Sequence, residues 1–104
     1  MEALLVITSL PEREQAYRLA QKLVESRLAA CVNIQAGCDS IYAWKGAIET
    51  AAEVPLLIKT VARHYRAVEE MIRSHHPYEL PEILAVSPCN GLPEYLGWIE
   101  SETL

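Results

Sequence analysis

The sequence predicts a single α+β domain in which one antiparallel sheet carries its two main helices on one face. Three observations lead to this prediction: the length, the composition and the order of apolar patterns along the chain. A chain of 104 residues has room for one hydrophobic core. A content of 51% hydrophobic and 22% charged residues is typical of a folded globular domain. We therefore treat residues 1–104 as one domain.

The first third of the chain alternates between extended and helical patterns. An apolar run at residues 2–8 predicts a buried strand. Ser9 and Glu12 have the spacing of a capping box, so we expect the first helix to begin there. Apolar residues then recur at helical spacing as far as Val24. Residues 29–34 return to an extended pattern.

The middle of the chain predicts a long hairpin. Residues 40–44 and 47–60 form its two arms, and Lys45-Gly46 is the candidate turn. The return arm contains Pro55, which cannot donate a hydrogen bond to a neighbouring strand. We therefore expect a bulge or an unpaired edge at this proline.

The last third predicts a helix, a strand and a short helix. Residues 63–75 show a helical apolar face, and residues 82–86 form an apolar run typical of a strand. Ser87-Pro88 interrupts this strand, and Asn90-Gly91 indicates a turn. Residues 92–99 then carry apolar side chains at helical spacing. The complete order is β-α-β-β-α-β with a short C-terminal helix, which is the ferredoxin-like order.

The predicted sheet has two apolar faces. Residues 4–7, 56–58 and 83–86 are apolar at successive positions, and successive strand residues point to opposite faces. The two main helices cover only one of these faces. An uncovered apolar face is typical of an association surface, so we expect a homo-oligomer.

Charge and cysteine content narrow the classes of function. A formal net charge of -5 argues against nucleic acid as a partner, because phosphate binding needs clustered Lys and Arg. The apolar N-terminal run is too short to span a membrane and has no signal-peptide features. Three cysteines without a CxxC pair indicate free thiols in a reducing compartment. We therefore expect a cytoplasmic protein with neither nucleic acid nor membrane as a partner.

Two adjacent histidines precede a proline in the segment His75-His76-Pro77-Tyr78. Proline disfavours the α conformation in the residue before it, so the second helix should end near His75. Imidazoles on a rigid turn can bind Cu²⁺ or Zn²⁺. The alternative is that the histidines only end the helix, where its dipole favours a cation. His75 and His76 are the candidate metal ligands.

Several other residues are candidates for a cleft between subunits. Tyr42 and Trp44 alternate on one hairpin arm, where packing across an interface is the main interpretation and lining a pocket is the alternative. Cys31 lies in a predicted strand, where a small buried hydrophobe is the main interpretation and a soft metal ligand or a reactive thiol is the alternative. Lys59 is a charge within an apolar strand and needs a partner from its own or a neighbouring chain.

Glu53 or Glu82 is the expected partner of Lys59. A cleft that joins Lys59, Tyr78 and Glu82 at a subunit boundary is suited to a small anion, although a structural ion pair is the favoured interpretation. No nucleophile motif and no phosphate-binding glycine loop is present, so we expect neither enzymatic activity nor an organic cofactor. An enzyme that uses Cys31 or His76, and a purely structural scaffold, are the remaining alternatives.

The chain resembles the divalent-cation tolerance (CutA) family over nearly its whole length. The motifs HPYxxPE and YxWxG are specific to this resemblance, here as His76-Pro77-Tyr78-Glu79-Leu80-Pro81-Glu82 and Tyr42-Ala43-Trp44-Lys45-Gly46. The matching segments are residues 28–34, 40–46, 59–60, 75–82 and 95–99, together with Glu53.

The resemblance implies a ferredoxin-like fold of the PII-like kind and a tight homotrimer joined through long hairpins. It also implies a cytoplasmic protein of metal-ion tolerance that binds copper or another divalent metal ion. A PII-like module that binds a small metabolite or anion in its subunit clefts is the alternative function. In some copper-binding relatives a cysteine stands where this chain has Thr8, so the resemblance carries over only His75 and His76 as ligands.

Overall fold

The computed structural model describes residues 2–104. Within this range the chain forms an antiparallel sheet and three α-helices, so it has the mixed α+β architecture that the sequence predicts. The elements follow the predicted order with one strand more, because residues 31–34 and 38–44 form two separate strands. They are β1 (Ala3–Leu10), α1 (Arg13–Glu25), β2 (Cys31–Ile34), β3 (Cys38–Trp44), β4 (Ala47–Val61), α2 (Tyr65–His75), β5 (Leu84–Val86) and α3 (Pro93–Glu102), with a 3-10 turn at Ala62–His64 before α2.

The longest strand, β4, organises the sheet. Its second half lies between β2 and β1 in the strand order β2-β4-β1-β5, and all of these pairs are antiparallel. Its first half pairs only with β3 and forms a hairpin that projects from the rest of the sheet. The hairpin elongates the molecule, whose principal extents are 44 × 27 × 24 Å.

The hairpin turn lies at Lys45-Gly46, as the sequence predicts. Trp44 pairs with Ala47, which leaves two residues in the loop. Lys45 and Gly46 both have positive φ angles, 48° and 84°. Two-residue hairpin loops with positive φ at both positions match the twist of the flanking strands, which explains the tight connection.

Strand β4 runs through Pro55 without the bulge that the sequence predicts. The irregular backbone lies instead in the segment between β2 and β3, which faces Pro55. Ile34 pairs with Leu56 and Cys38 pairs with Glu53, so residues 35–37 lie opposite only two residues of β4. The carbonyl of Pro55 accepts a hydrogen bond from the Gln35 N–H at 2.9 Å. Proline has no N–H to donate, so the ladder cannot continue regularly at this position. The irregular segment therefore lies opposite Pro55.

The main core lies between α1, α2 and one face of the sheet. Val54, Leu56 and Ile58 of β4 point toward the helices and are fully or almost fully buried. The helix α3 packs on the opposite face, where Ile99 contacts Val61. Alternate residues of a strand point to opposite faces, which is why Val61 belongs to a second, smaller core.

The predicted capping box at Ser9 and Glu12 is wrong. Strand β1 continues to Leu10, and α1 begins at Arg13 with Glu12 as an N-cap that makes no side-chain capping bond. The hydroxyl of Ser9 instead donates to the Glu82 carboxylate at 3.2 Å. The strand extends further than expected because Ser9 and Leu10 continue the ladder with β4.

None of the helices in residues 2–104 combines the length and the apolar character that crossing a membrane requires.

Candidate functional site

The two adjacent histidines lie where α2 ends. His75 is the last residue of the helix, and His76 is extended, with φ −92° and ψ 133°. Pro77 follows directly and disfavours a helical conformation at His76. The helix therefore ends where the sequence predicts, and the two imidazoles point in different directions.

The imidazole of His75 has one nitrogen bonded and one free. Its Nδ1 lies 2.9 Å from the carbonyl oxygen of Met71, which accepts the hydrogen bond, and 3.1 Å from Ser74 Oγ. The proton is thereby assigned to Nδ1. The lone pair of Nε2 faces solvent on an exposed side chain. Histidine ligands of metals commonly hold their other nitrogen in such a hydrogen bond.

The imidazole of His76 has both nitrogens bonded. Its Nε2 donates to the carbonyl oxygen of Ser9 at 2.5 Å, and its Nδ1 accepts the backbone N–H of Tyr78 at 3.1 Å. The ring also lies 4.8 Å from the Tyr78 ring, measured between centroids. Through its hydrogen bond to Ser9, His76 therefore links the segment after α2 to the end of β1.

The described residues do not form a complete metal site within one chain. In residues 2–104, no three or more His, Cys, Asp and Glu side chains are grouped closely enough to hold a metal ion. Thr8 is fully buried, and its hydroxyl has no hydrogen-bond partner. Each chain therefore offers the Nε2 atom of His75 as a donor, and any further ligands must come from elsewhere.

A cavity of about 720 Å³ lies between the hairpin and the segment that leads from α2 to β5. We call it the hairpin cavity. It is lined by Ser9, residues 40–44, Glu53 and residues 77–82. The structure thus brings together five of the predicted cleft residues: Tyr42, Trp44, Glu53, Tyr78 and Glu82.

The carboxyl group of Glu53 is the most buried charge of the hairpin cavity, since the residue is only 9% exposed. Partial burial, together with a hydrogen bond to Glu53, raises the pKa of Tyr78 to about 12. The Tyr78 hydroxyl therefore stays protonated at neutral pH.

The Lys45–Glu79 ion pair lies at the exposed edge of the cavity. Lys45 Nζ is 3.5 Å from the Glu79 carboxylate and 5.4 Å from the centroid of the Trp44 ring. Both charged side chains of this ion pair are largely exposed. Ser9 donates a hydrogen bond to the Glu82 carboxylate and lines the cavity. Its spacing to Glu12 had predicted a helix cap instead. The apolar run before it gave no signal that the strand continues past Thr8.

Cys31 and Lys59 lie outside the hairpin cavity. They are cross-strand neighbours on β2 and β4, and Cys31 is half-buried. Lys59 Nζ lies 6.0 Å from the centroid of the Tyr95 ring in α3. Within residues 2–104, Lys59 forms no ion pair with Glu53 or Glu82. One chain alone therefore does not form the expected anion cleft.

A sequence profile of the CutA1 divalent ion tolerance protein matches residues 4–102. The chain belongs to the CutA1 family. The family assignment made from the HPYxxPE and YxWxG motifs is thereby confirmed. The curated relatives are named as divalent-cation tolerance proteins and not as enzymes.

Individual CutA proteins match this chain along almost its full length. The divalent-cation tolerance protein CutA of Thermus thermophilus is 43% identical over 103 residues, which cover 99% of each chain. The crystal structure of CutA from Xylella fastidiosa is 44% identical, with a TM-score of 0.95 and 99% of each chain covered. A CutA structure from Archaeoglobus fulgidus, described as periplasmic, is 34% identical, with a TM-score of 0.95 and 98% and 99% covered.

Proposed function

We propose that this protein is a cytosolic homotrimer that binds copper or another divalent metal ion in the response to metal ions, and that it is not an enzyme. Membership of the CutA1 family supports a role in divalent-cation tolerance. The names of the relatives and the lack of a catalytic motif in the sequence support a role in binding.

The free Nε2 atom of His75 is the observation that carries the metal proposal. Its Nδ1 donates to Met71, so the ring is oriented and Nε2 is available as a donor. Imidazole sites follow the Irving–Williams order, so we expect Cu²⁺ to bind in preference to Zn²⁺. His76 joins the site only if it releases the Ser9 carbonyl, and water or a carboxylate completes the coordination otherwise.

Calorimetric titration with Cu²⁺ and Zn²⁺ at neutral pH tests this proposal. We expect His75→Ala to weaken Cu²⁺ binding about tenfold or more, the range for losing a bond to a charged group. His64→Ala is the control, because the His64 ring bonds Thr103 at the other end of α2. Copper binding by His75→Ala and His76→Ala at wild-type strength would favour the helix-ending role for both residues.

The same titration has a second arm at Thr8. Position 8 directly precedes Ser9, whose carbonyl accepts a hydrogen bond from the His76 ring. Thiolate is a much better copper ligand than a hydroxyl. We expect Thr8→Cys to raise the affinity for Cu²⁺, and we expect acid to weaken binding because protonated imidazole cannot coordinate.

The part of the apolar sheet face that α3 leaves uncovered supports the homotrimer. Leu84 and Val86 of β5 are 61% and 48% exposed. They pair with Ile7 and Leu5 on the side of the sheet opposite α1 and α2. The strand order β2-β4-β1-β5 supports a ferredoxin-like topology, for which such a face is the natural surface of association.

Free cysteines support the cytosolic location, because such thiols are typical of a reducing compartment. Cell fractionation tests this location directly, and recovery in an oxidising compartment would contradict it. The alternative function as an anion-binding module has less support, since Lys59 lies away from Tyr78 and Glu82.

A further inference from the structure

We propose that the 3-10 turn before α2 acts as a clasp for the C-terminal helix, so that Arg63 and His64 control whether α3 stays folded against the sheet. We call these two residues, together with Glu100 and Thr103 at the end of α3, the α3 clasp. This inference concerns a conformational device and goes beyond metal binding. Only its consequence for assembly rests on the proposed homotrimer.

The first argument is that α3 has few features that would stabilise it as a helix by itself. It has 10 residues, and isolated helices shorter than about 12–15 residues are marginal in water. Of residues 93–102, all within the described range, only Ile99 is buried. Glu100 and Glu102 lie in the last turn without a basic residue beside them, and the helix dipole disfavours negative charge there. The folding of α3 therefore depends on groups from other elements.

The 3-10 turn supplies these groups. Arg63 Nη1 lies 2.9 Å from a carboxylate oxygen of Glu100, and Arg63 Nη2 donates to the carbonyl oxygen of Thr103 at 3.3 Å. The Nε2 atom of His64 donates to the same carbonyl oxygen at 2.7 Å. Carbonyl groups at the end of a helix have no partner within the helix, so these donors provide what α3 lacks. The positive charge of Arg63 also offsets the negative end of the helix dipole.

The clasp closes on a buried residue. Thr103 is 1% exposed, and its hydroxyl donates to the carbonyl oxygen of Ile99 at 2.8 Å. A more exposed contact lies beside it, where Arg27 at the end of α1 is 4.0 Å from the Glu102 carboxylate. Loss of the clasp should therefore release the last turn of α3 and allow the helix to fray from its C-terminal end.

The second argument is the position of α3 on the sheet. Lys59, Leu5 and Val86 are cross-strand neighbours, so their side chains form one row on the sheet face opposite α1 and α2. The Tyr95 ring of α3 lies at the Lys59 end of this row, with its centroid 6.0 Å from Lys59 Nζ. Tyr95 stacks with Trp98 at 5.6 Å between ring centroids. The two rings therefore border the uncovered apolar face, and fraying of α3 should displace them from it.

Hydrogen exchange of backbone amides tests the clasp on the assembled protein. We expect Arg63→Met to speed exchange in residues 96–103 about three- to tenfold, the range for one ion pair with a hydrogen bond at the surface, and to leave exchange in α1 unchanged. Arg63→Lys should restore part of the protection, because an ammonium group still pairs with Glu100. Arg66→Met is the matched control, since Arg66 is exposed on α2 and forms no ion pair within the described residues.

Two variants of His64 test the hydrogen bond to Thr103. His64→Leu removes the donor and should also speed exchange in residues 96–103, whereas His64→Gln keeps an N–H donor and should retain the protection. Unchanged exchange in both Arg63→Met and His64→Leu would overturn the proposal. Equal acceleration in α1 and α3 would overturn it as well, because the two residues would then support the whole fold and not α3 in particular.

Dilution of the protein links the clasp to assembly. We expect the double variant Arg63→Met, His64→Leu to dissociate at a higher protein concentration than wild type, measured by light scattering. Faster exchange in α3 without this change would contradict the role of the clasp in assembly. A monomeric wild type would contradict the homotrimer instead, and exchange in α3 would still decide whether the clasp holds the helix.

Discussion

Two threonines of the core have equal burial and different hydrogen bonding. Thr8 and Thr60 are both 0% exposed. The hydroxyl of Thr60 donates to the Leu28 carbonyl, whereas that of Thr8 has no partner. A buried polar group without a partner lowers stability, and one with a partner adds to it. The same substitution at the two positions should therefore have opposite effects.

We predict that Thr8→Val raises the free energy of unfolding by about 1 kcal/mol, because it removes an unpaired buried hydroxyl without changing the volume much. Thr60→Val should lower it by about 1–2 kcal/mol, since it leaves the Leu28 carbonyl unsatisfied. Urea unfolding at one fixed protein concentration measures both changes. Destabilisation of similar size at both positions would mean that the Thr8 hydroxyl has a partner in solution.

The phenol of Tyr78 gives a prediction at alkaline pH. Burial and the interaction with Glu53 raise the pKa of the Tyr78 phenol above its ordinary value to about 12. The folded state therefore favours the neutral phenol, and its contribution to stability is fully present below about pH 10. This contribution is lost as pH rises through about 12. Spectroscopic titration of Tyr78→Phe should lack this late ionisation.

Titration of the Tyr78 phenol in the Glu53→Gln variant tests the contribution of the carboxylate. Removal of the acceptor charge should lower the pKa of Tyr78 toward its ordinary value, because the neutral phenol loses its carboxylate partner. An unchanged late ionisation in Glu53→Gln would show that burial alone holds the phenol neutral.

At the scale of elements, the β3–β4 hairpin has two different faces. Ile41 and Ile48 lie on one face and are 74% and 75% exposed. Tyr42 and Trp44 lie on the other face, and they line the hairpin cavity together with Ile41. Exposed apolar residues on a projecting hairpin are typical of an association surface. We therefore expect this face of the hairpin to bind another copy of the chain.

We predict that Trp44→Ala harms assembly more than it harms metal binding. Truncation of a fully buried aromatic costs about 3–5 kcal/mol, which applies to Trp44 if assembly completes its burial. The melting temperature of the variant should then fall and depend on protein concentration. Tyr17→Ala, at an aromatic that is 58% exposed on α1, is the control and should melt like wild type. An intact assembly that melts like wild type would assign Trp44 to the hairpin cavity alone.

At the scale of the whole molecule, the proposed trimer should have a mass near three times 11.6 kDa by light scattering at low micromolar concentration. Obligate interfaces commonly bury more than about 2,000 Å² and resemble a core cut in half. Val86→Glu should break the assembly, because it places a charge in the uncovered apolar face.

A valine on another surface serves as the control for assembly. Val24 on α1 is 43% exposed and Val86 is 48% exposed, so the two have similar solvent contact in one chain. Val24→Glu should leave the mass unchanged if the sheet face is the interface. A folded wild-type monomer at low micromolar concentration would contradict the trimer.

Comparison of the predicted and observed elements shows where local signals suffice. The turn at Lys45-Gly46 and the end of α2 at His75 were predicted, because each depends on dihedral preferences of adjacent residues. The helix start at Ser9 was predicted wrongly, because pairing with β4 outweighs the weak capping signal. The motifs around His76 and Trp44 were enough to assign the family.

The sequence by itself determined the family and most of the order of elements, since these follow from periodicity, turn chemistry and short motifs. Only the tertiary structure decided how the side chains meet. Ser9 lies beside His76 although 67 positions separate them, both nitrogens of His76 are bonded, and Lys59 lies away from Glu53 and Glu82. The physical reason is that strand register and packing between distant segments set such contacts, and no local pattern encodes them.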